Sequence, residues 1–253
     1  MDDNALLRYS RHIMLDGLDL AGQERLSQAR VAIVGLGGLG SPAAMYLAAA
    51  GIGHLRLADH DTVELSNLQR QILHGTADVG RAKTASGSER LRALNPEPEL
   101  ELVEQRLDAR TARELASGAD VVLDGSDNFD TRFAVNEACV AQGVPLISGA
   151  VIRMEGQLAG LRPDLPERPC YRCVFPETGD EAETCSETGV LASLPGVIGS
   201  LQATEALKLI AGLGEALDSR LLTLDALTLR WRDLRLRRDP ACPVCDHRAH
   251  AVS

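Results

Sequence analysis

The sequence predicts an α/β protein whose doubly wound, mostly parallel sheet carries helices on both faces. Short apolar segments alternate with helix-like segments through the first 149 residues, and the first of them leads into a glycine-rich turn. Regular alternation of strand and helix signals is typical of β-α units, whose consecutive strands lie parallel. After Gly149 the pattern changes to strand-like alternation, which predicts additional carboxy-terminal strands joined by hairpins.

The predicted elements follow in order along the chain. Residues 6–26 are charged and helix-like. Five strands are predicted at 30–35, 54–59, 99–107, 120–125 and 144–149, with helices between them at 41–50, 80–94, 109–116 and 128–142. Beyond them we expect a hairpin over 150–161, a proline- and cysteine-bearing loop over 163–189, a helix over 195–211 that is buried or at a subunit contact, and two strands over 220–236.

Composition restricts the class of protein. The chain has 253 residues, of which 45% are hydrophobic and 25% charged, and its net charge of −10 disfavours a broad nucleic-acid surface. The charged amino terminus lacks the apolar core of a signal peptide, and polar residues interrupt the longest apolar stretch, 189–214. We therefore expect a cytoplasmic protein without a membrane span. Lys83 is one of only two lysines among 26 cationic residues, which hints that its compact ammonium group is required.

The stretch VAIVGLGGLGSP, residues 31–42, joins the first strand to the next helix. Gly35, Gly37 and Gly40 fill the glycine positions of G-x-G-x-x-G, which permit a tight turn, approach of the backbone to phosphate, and close packing of helix on strand. Asp59 ends the second strand, where an acid that binds ribose belongs. The pattern predicts a nucleotide site, with a purely structural turn as the alternative. It does not separate NAD from ATP.

Two cationic side chains favour a nucleoside triphosphate. Arg70 lies in SNLQRQ beyond the second strand, and Lys83 lies at a helix start in GRAKT. Backbone groups alone normally hold an NAD diphosphate, whereas added cations suit a triphosphate and a departing pyrophosphate.

A further cluster of polar residues, DGSDN, follows the strand at 120–125. Asp124 and Asp127 thus stand at the carboxyl end of a parallel strand, where α/β sheets bind ligands. Because a carboxylate beside phosphates is a natural ligand of Mg²⁺, we predict that Asp127 binds this ion. The alternative is that Asp127 or Asn128 only caps the following helix.

Four of the six cysteines form two C-x-x-C pairs, a pattern that favours metal over disulfides in a cytosolic chain. The pairs predict one tetrahedral Zn²⁺ site made of Cys170, Cys173, Cys242 and Cys245. Four protein ligands leave no open coordination position, so the zinc would be structural. The alternative is a redox pair. Cys185 stands alone in a loop, and Cys139 is predicted to lie in the core.

Taken together, the motifs resemble the MoeB/ThiF adenylyltransferases, relatives of the ubiquitin-activating enzymes. The segments that carry the resemblance are RYSRHIML, GLGGLGSP, DHDTVELSNLQRQ, GRAKT, DGSDNFDTR, CYRC and CPVC, in the order of the family. The resemblance implies one domain over 1–253, with amino-terminal helices over 1–29, a Rossmann-like nucleotide-binding core over 30–149 and a carrier-binding and zinc region over 150–253.

The resemblance also implies the residues of an ATP site. Those expected to line it are Gly38, Gly40, Asp59, Ser66, Asn67, Leu68, Gln69, Arg70, Lys83, Asp127 and Asn128. Arg11 matches an arginine that reaches the ATP of the other subunit, which implies a two-fold homodimer. Arg11, Arg70, Lys83 and Asp127 would be the catalytic set.

The implied activity is ATP-dependent adenylation, with Mg²⁺, of the carboxy-terminal glycine of a small ubiquitin-like sulfur-carrier protein ending in Gly-Gly. A separate sulfur donor, a cysteine desulfurase or a rhodanese, would then deliver sulfur to the activated carboxylate of the carrier. SGAVIRMEGQ, residues 148–157, resembles the MoeB branch, which serves molybdopterin, more than the thiamine branch. In ThiF-like proteins a cysteine at the place of Cys185 can join the carrier covalently, whereas in MoeB-like proteins it is dispensable; the alternative is that Cys185 is a loop thiol without a chemical role. The alternatives are the thiamine or another carrier pathway, an NAD(P)-dependent oxidoreductase, and a zinc adaptor with an inactive nucleotide site.

Overall fold

A computed structural model describes residues 1–175 and 189–246. One eight-stranded sheet runs through it. Its strands are β1 (Arg30–Val34), β2 (His54–Ala58), β3 (Glu99–Val103), β4 (Val121–Asp124), β5 (Leu146–Ile152), β6 (Glu155–Leu161), β7 (Arg220–Asp225) and β8 (Arg230–Arg235).

The helices fall at or near the predicted positions, except for a four-residue helix within the segment 163–189, which is predicted as a loop. They are α1 (Asp3–Arg8), α2 (Ser10–Ile13), α3 (Asp19–Gln28), α4 (Gly40–Ala49), α5 (Lys83–Leu94), α6 (Ala109–Ala116), α7 (Phe129–Gln142), α8 (Tyr171–Val174) and α9 (Ser193–Ala211). Short 3-10 turns lie at Leu65–Asn67 and Thr76–Asp78. No helix in the described ranges is long and apolar enough to cross a bilayer.

The strand order is β3-β2-β1-β4-β5-β6-β7-β8. The pairs from β3 to β5 are parallel and those from β5 to β8 are antiparallel. The doubly wound, mostly parallel sheet is therefore confirmed. From β3 at one edge the chain returns to β4 on the far side of β1, so the order reverses beside β1. The crevice at the carboxyl ends of β1 and β4 is the position where such sheets bind ligands.

Alternate side chains of β1 pack on opposite faces of the sheet, as the two-residue period of a strand requires. Val31 and Ile33 join a buried cluster with residues of α3, α4, α5 and α9. Ala32 and Val34 join a second cluster with residues of α6 and α7. Helices therefore cover both faces, and both apolar layers hold the ends of β1 and β4 in place.

Besides α8, the structure differs from the sequence-based prediction at three elements. The segment over 6–26 is three short helices: α1 ends at Arg8, before Tyr9, and Gly17, with a left-handed φ of +86°, interrupts the helical path between α2 and α3. β3 ends at Val103 instead of continuing to residue 107. β5 runs without interruption to Ile152, so the strand over 144–149 and the first hairpin strand are one element.

Candidate active site

The glycine turn after β1 forms the floor of the crevice. Gly35 has a φ of +81°, and a Cβ on Gly40 would lie 1.8 Å from the Gly35 carbonyl oxygen, so the start of α4 packs directly on the turn. In the described part of the chain, four consecutive N–H groups, those of Gly37, Gly38, Leu39 and Gly40, have no hydrogen-bond acceptor. Unpaired N–H groups at a helix amino terminus bind anions, and the helix dipole favours negative charge there.

Polar contacts hold the peptide of Leu36, at the centre of the turn, from two sides. The Leu36 N–H donates to Oδ2 of Asp59 at 2.7 Å, and its carbonyl accepts from Nε2 of His74 at 3.1 Å. Nδ1 of His74 lies 2.9 Å from Oγ of Ser86. Burial is the main reason that the pKa of His74 is lowered, so the ring is neutral at pH 7. Because a carbonyl only accepts, Nε2 carries the proton and Nδ1 accepts from Ser86.

Asp59 has a structural task in addition to the predicted one. Its Oδ1 accepts the N–H of Asp61 at 2.9 Å while Oδ2 holds the glycine turn. Each carboxylate oxygen retains a second lone pair. The structure thus places Asp59 at the turn, as predicted from the sequence, and leaves its contact with ribose as a prediction.

Lys83 is the first residue of α5, as predicted, and is only 6% exposed. Its Nζ lies 2.9 Å from Oδ2 of Asp61 and 4.0 Å from Oδ2 of Asp59. Burial raises the pKa of Asp61, but the hydrogen bond and positive charge of Lys83 outweigh burial, and the net pKa is lowered. Asp61 therefore anchors the ammonium group beside the glycine turn.

The turn that follows β2 brings Arg70 to the same place. Oδ1 of Asn67 accepts the Glu64 N–H at 3.3 Å and closes the 3-10 turn, and Nη1 of Arg70 donates to the Ser66 carbonyl at 3.2 Å. Cγ of Arg70 lies 3.4 Å from the position of a Cβ on Gly38. The side chain of Arg70 therefore packs beside the unpaired N–H groups.

The remaining predicted residues of this turn are less enclosed. Leu68 is half-buried and Gln69 is exposed. Gln71, which sequence reasoning missed, is buried, and its Nε2 lies 3.6 Å from the position of a Cβ on Gly37. Its Oε1 accepts no hydrogen bond from the described residues.

The loop after β4 meets the glycine turn through the backbone, because a Cβ on Gly35 would lie 3.0 Å from the Gly125 carbonyl oxygen. Asp124 is 0% exposed, and its Oδ1 accepts from the backbone N–H and the Oγ of Ser126 at 3.0 and 2.7 Å. Asp127 is exposed. Asn128 caps α7 by accepting the Thr131 N–H at 2.9 Å. The capping alternative is thus confirmed for Asn128, whereas the Asp127 carboxylate stays available to a cation.

Arg11 does not join this cluster within its own chain. It lies exposed on α2, and its guanidinium has no hydrogen-bond or ion-pair partner among the described residues. Next to it, Nδ1 of His12 lies 3.1 Å from Oε1 of Gln23, whose Nε2 donates to the Ala50 carbonyl after the carboxyl end of α4. Since α4 begins at the glycine turn and spans about 15 Å, Arg11 lies near the opposite end of this helix from the turn.

The four predicted cysteines come together in one cluster. Their Sγ atoms all lie within 4.8 Å of one another. The distances are 3.9 Å for Cys170–Cys173, 3.7 Å for Cys170–Cys242 and 3.4 Å for Cys173–Cys245. Tetrahedral zinc with Zn–S bonds of about 2.3 Å requires sulfur–sulfur distances of about 3.8 Å. The set therefore fits Zn²⁺ in ligand type and spacing.

Electrostatics within the cluster also favours a cation. A hydrogen bond from Cys170 lowers the pKa of Cys173 to about 5, while burial is the main cause that raises the pKa of Cys245 to about 12. Four crowded sulfurs cannot all ionise without a compensating positive charge, which Zn²⁺ provides. Cys139 is buried in the core, as predicted. Cys185 lies outside the described residues.

Comparisons with known proteins agree with this geometry. The sequence model of the ThiF family matches residues 9–244. The chain is 49% identical over 247 residues to the SAMP-activating enzyme E1 of Haloferax volcanii, covering 97% of this chain and 90% of that protein. It is 48% identical over 245 residues to the molybdopterin-synthase adenylyltransferase of Escherichia coli (97% and 98% covered) and 46% identical over 245 residues to the sulfur carrier protein ThiS adenylyltransferase of E. coli (97% and 97%).

A solved structure shares the fold. The crystal structure of E. coli MccB with ATP superposes with a TM-score of 0.83 at 26% sequence identity, covering 94% of this chain and 73% of that chain. The likeness is therefore not limited to the predicted nucleotide-binding core over 30–149, because 94% of this chain takes part.

Proposed function

Because the chain belongs to the ThiF family, as the match over residues 9–244 shows, we propose that it adenylates the carboxy-terminal glycine of a small ubiquitin-like sulfur-carrier protein. ATP and the carrier carboxylate would be the substrates, and acyl-adenylate and pyrophosphate the products. The relatives from E. coli bear the names of adenylyltransferases that act on such carriers or on molybdopterin synthase.

The observation that carries this proposal is the row of N–H groups from Gly37 to Gly40 that are unpaired among the described residues. The Arg70 side chain lies beside Gly38, and the Lys83 ammonium group lies next to Asp59, which holds the turn. An NAD diphosphate needs the N–H groups but not two flanking cations. A triphosphate uses the N–H groups and the two cations, because negative charge accumulates on the leaving pyrophosphate during the reaction. The arrangement therefore supports ATP over a nicotinamide cofactor.

Each side chain has a physical role in the proposed reaction. Asp59 would bind the ribose hydroxyls, and Asn67, Arg70 and Lys83 would hold the phosphates. The attacking carboxylate is already ionised at neutral pH, so the reaction needs no general base. Catalysis then depends on in-line positioning at the α-phosphorus and on neutralisation of charge. Mg²⁺, when bound, would neutralise phosphate charge, and Asp127 is the carboxylate that would hold it.

The zinc site is proposed to be structural. Cys170 directly precedes the short helix α8, Cys173 lies within it, and Cys242 and Cys245 follow β8. Zn²⁺ held by all four would join the loop after β6 to the segment after the last strand. No substrate could reach a metal that already has four thiolate ligands.

A shared active site in a homodimer is the proposal for Arg11. Its position, near the opposite end of α4 from its own glycine turn, leaves its charge free for a second chain. A two-fold axis would bring the same segment of each chain to the site of the other. Cys185 would take no part in the first step of this mechanism, because adenylation uses no protein nucleophile. The sulfur donor would be a separate cysteine desulfurase or rhodanese.

The carrier is proposed to be MoaD-like and to serve molybdopterin, on the basis of residues 148–157. A ThiS-like carrier for thiamine is the second candidate, since the relatives of the two pathways are 48% and 46% identical to this chain.

ATP–pyrophosphate exchange tests the activity. We expect exchange only when a Gly-Gly-ended carrier is added, and none with the same carrier lacking its last glycine. A comparison of MoaD-like and ThiS-like carriers assigns the pathway. Reduction of NAD with a small alcohol, without exchange for any carrier, would overturn the proposed function.

A further inference from the structure

One side chain behind the candidate active site connects three separate segments. Arg132, on α7, donates from Nη2 to the Ser126 carbonyl at 2.6 Å and to the Gly149 carbonyl at 3.4 Å. Its Nη1 donates to the Tyr171 hydroxyl at 3.3 Å. Ser126 lies in the loop after β4, Gly149 in β5, and Tyr171 at the start of α8.

The loop that Arg132 holds carries the proposed Mg²⁺ ligand. Ser126 directly precedes Asp127, which is exposed. The Asp127 Oδ1 accepts one long hydrogen bond, from Nδ2 of Asn128 at 3.4 Å, and its carboxylate also interacts with the positive charge of Arg132. The inner side of the loop is fixed by Asp124, through Ser126. The position of Asp127 therefore depends on what holds the Ser126 carbonyl.

Tyr171 fixes the guanidinium from behind. It is 2% exposed, and its N–H donates to Oδ1 of the buried Asn136 at 2.8 Å. Its ring contacts Phe133 and Phe175 with centroid distances of 5.8 and 4.6 Å. A hydroxyl held this firmly restricts the guanidinium to the orientation that reaches both carbonyls.

The chemistry requires arginine at this position. Burial lowers the pKa of Arg132, but Asp124, Tyr171 and Asp127 together outweigh burial and raise the net pKa, so the side chain stays charged. A planar guanidinium can donate to two carbonyls and a hydroxyl at once, in fixed directions. A lysine ammonium in the same place would keep the charge but could not keep the three contacts in one geometry.

We propose that Arg132 is a positioning residue of the nucleotide site, which holds the Ser126–Asp127 segment in the geometry that binds Mg²⁺-ATP and is itself held by Tyr171. This inference rests on the proposed ATP site, and it adds a residue that does not touch the nucleotide.

The test is the equilibrium affinity for ATP with Mg²⁺, measured by calorimetry without any carrier, together with zinc content and melting temperature. We expect Arg132→Lys to bind ATP about tenfold more weakly and to need a higher Mg²⁺ concentration, while it retains its zinc. Tyr171→Phe removes only one hydroxyl and should weaken binding about threefold. Arg110→Lys, an exposed arginine paired with Glu114 on α6, is the matched control and should bind as wild type does.

A double variant distinguishes this role from general loss of structure. If Tyr171 acts through Arg132, then Arg132→Lys with Tyr171→Phe should bind no more weakly than Arg132→Lys alone. Independent, additive losses would overturn the inference.

Other outcomes are equally decisive. Unchanged ATP affinity in a folded Arg132→Lys overturns the inference, as does a fall in affinity that accompanies loss of zinc. If Arg132→Lys does not fold, unchanged affinity in Tyr171→Phe overturns it. A wild-type chain that binds ATP but shows no exchange with any carrier contradicts the proposed function alone, and one that binds no nucleotide contradicts both.

Discussion

Replacing Gly40 with alanine should destabilise the fold, because the glycine turn leaves no room for a side chain at the start of α4. The added Cβ would lie 1.8 Å from the carbonyl oxygen of Gly35. The turn and the helix would have to separate by more than about 1 Å, and overpacking of this kind costs about 1–3 kcal/mol. Since the obstacle is backbone and not the end of a flexible side chain, we expect a loss near 3 kcal/mol (about the upper limit of that range).

In a chain of this length, each kcal/mol lowers the melting temperature by about 2–4 °C, so Gly40→Ala should melt about 6–12 °C below wild type. Thermal unfolding followed by circular dichroism measures the difference. Gly37→Ala is the matched control, since its Cβ would approach only the Gln71 side chain, at an ordinary 3.6 Å. Its melting temperature should lie within about 4 °C of wild type, because Gly→Ala substitution without strain changes stability by less than about 1 kcal/mol. Equal melting temperatures for the two variants would refute the packing argument.

Three further predictions concern the metal, the acid response and the dimer. Metal analysis of the purified protein should find one zinc per chain, and Cys242→Ser should lose it; a metal-free wild type of normal stability would exclude the site. The carboxyl pKa of Asp61 is lowered in the folded state, so its stabilising pair with Lys83 is complete above about pH 4 and is lost as the pH falls through the folded pKa. Denaturant unfolding should thus show Asp61→Asn less stable than wild type at pH 7, with the difference vanishing in acid; a constant difference would contradict the pairing. Arg11→Ala and Asp127→Ala should each be nearly inactive, and subunit exchange between them should restore about a quarter of wild-type activity, since about half of all dimers then contain one chain of each kind and each of these has one intact site out of two. No recovery after proven exchange would exclude a shared site.

Much of the fold could be predicted from the sequence, because strand and helix signals are local. The strands over 30–35 and 120–125 are apolar on both faces, as expected of strands covered by helices on both sides. The break at Gly17 was not predictable from the periodicity of the leucines, since one positive φ redirects the chain without changing the pattern. The sequence pattern ends a strand at Gly149, whereas in the structure Gly149 pairs with Leu158 and β5 continues beyond it.

Residues of the candidate site could be predicted where the residue type and its place in a motif indicate one kind of chemistry. Lys83 and the four cysteines are such cases, and the structure places them as expected. His74, Asp61 and Arg132 were missed because their partners are backbone groups or residues brought close by folding. The Leu36 carbonyl, which His74 holds, is 38 residues away along the chain. No spacing rule reveals a contact of that kind.

The four-cysteine cluster also has a consequence for the order of events during synthesis. Its two halves are 72 residues apart, and α9, β7 and β8 lie between them. A nascent chain that has produced only Cys170 and Cys173 offers a metal two sulfurs, whereas the parallel strands from β1 to β5 are already complete and can pair. A tetrahedral site would thus form only after the last strand has been added, and zinc binding would be a late step that requires the chain to extend through Cys245.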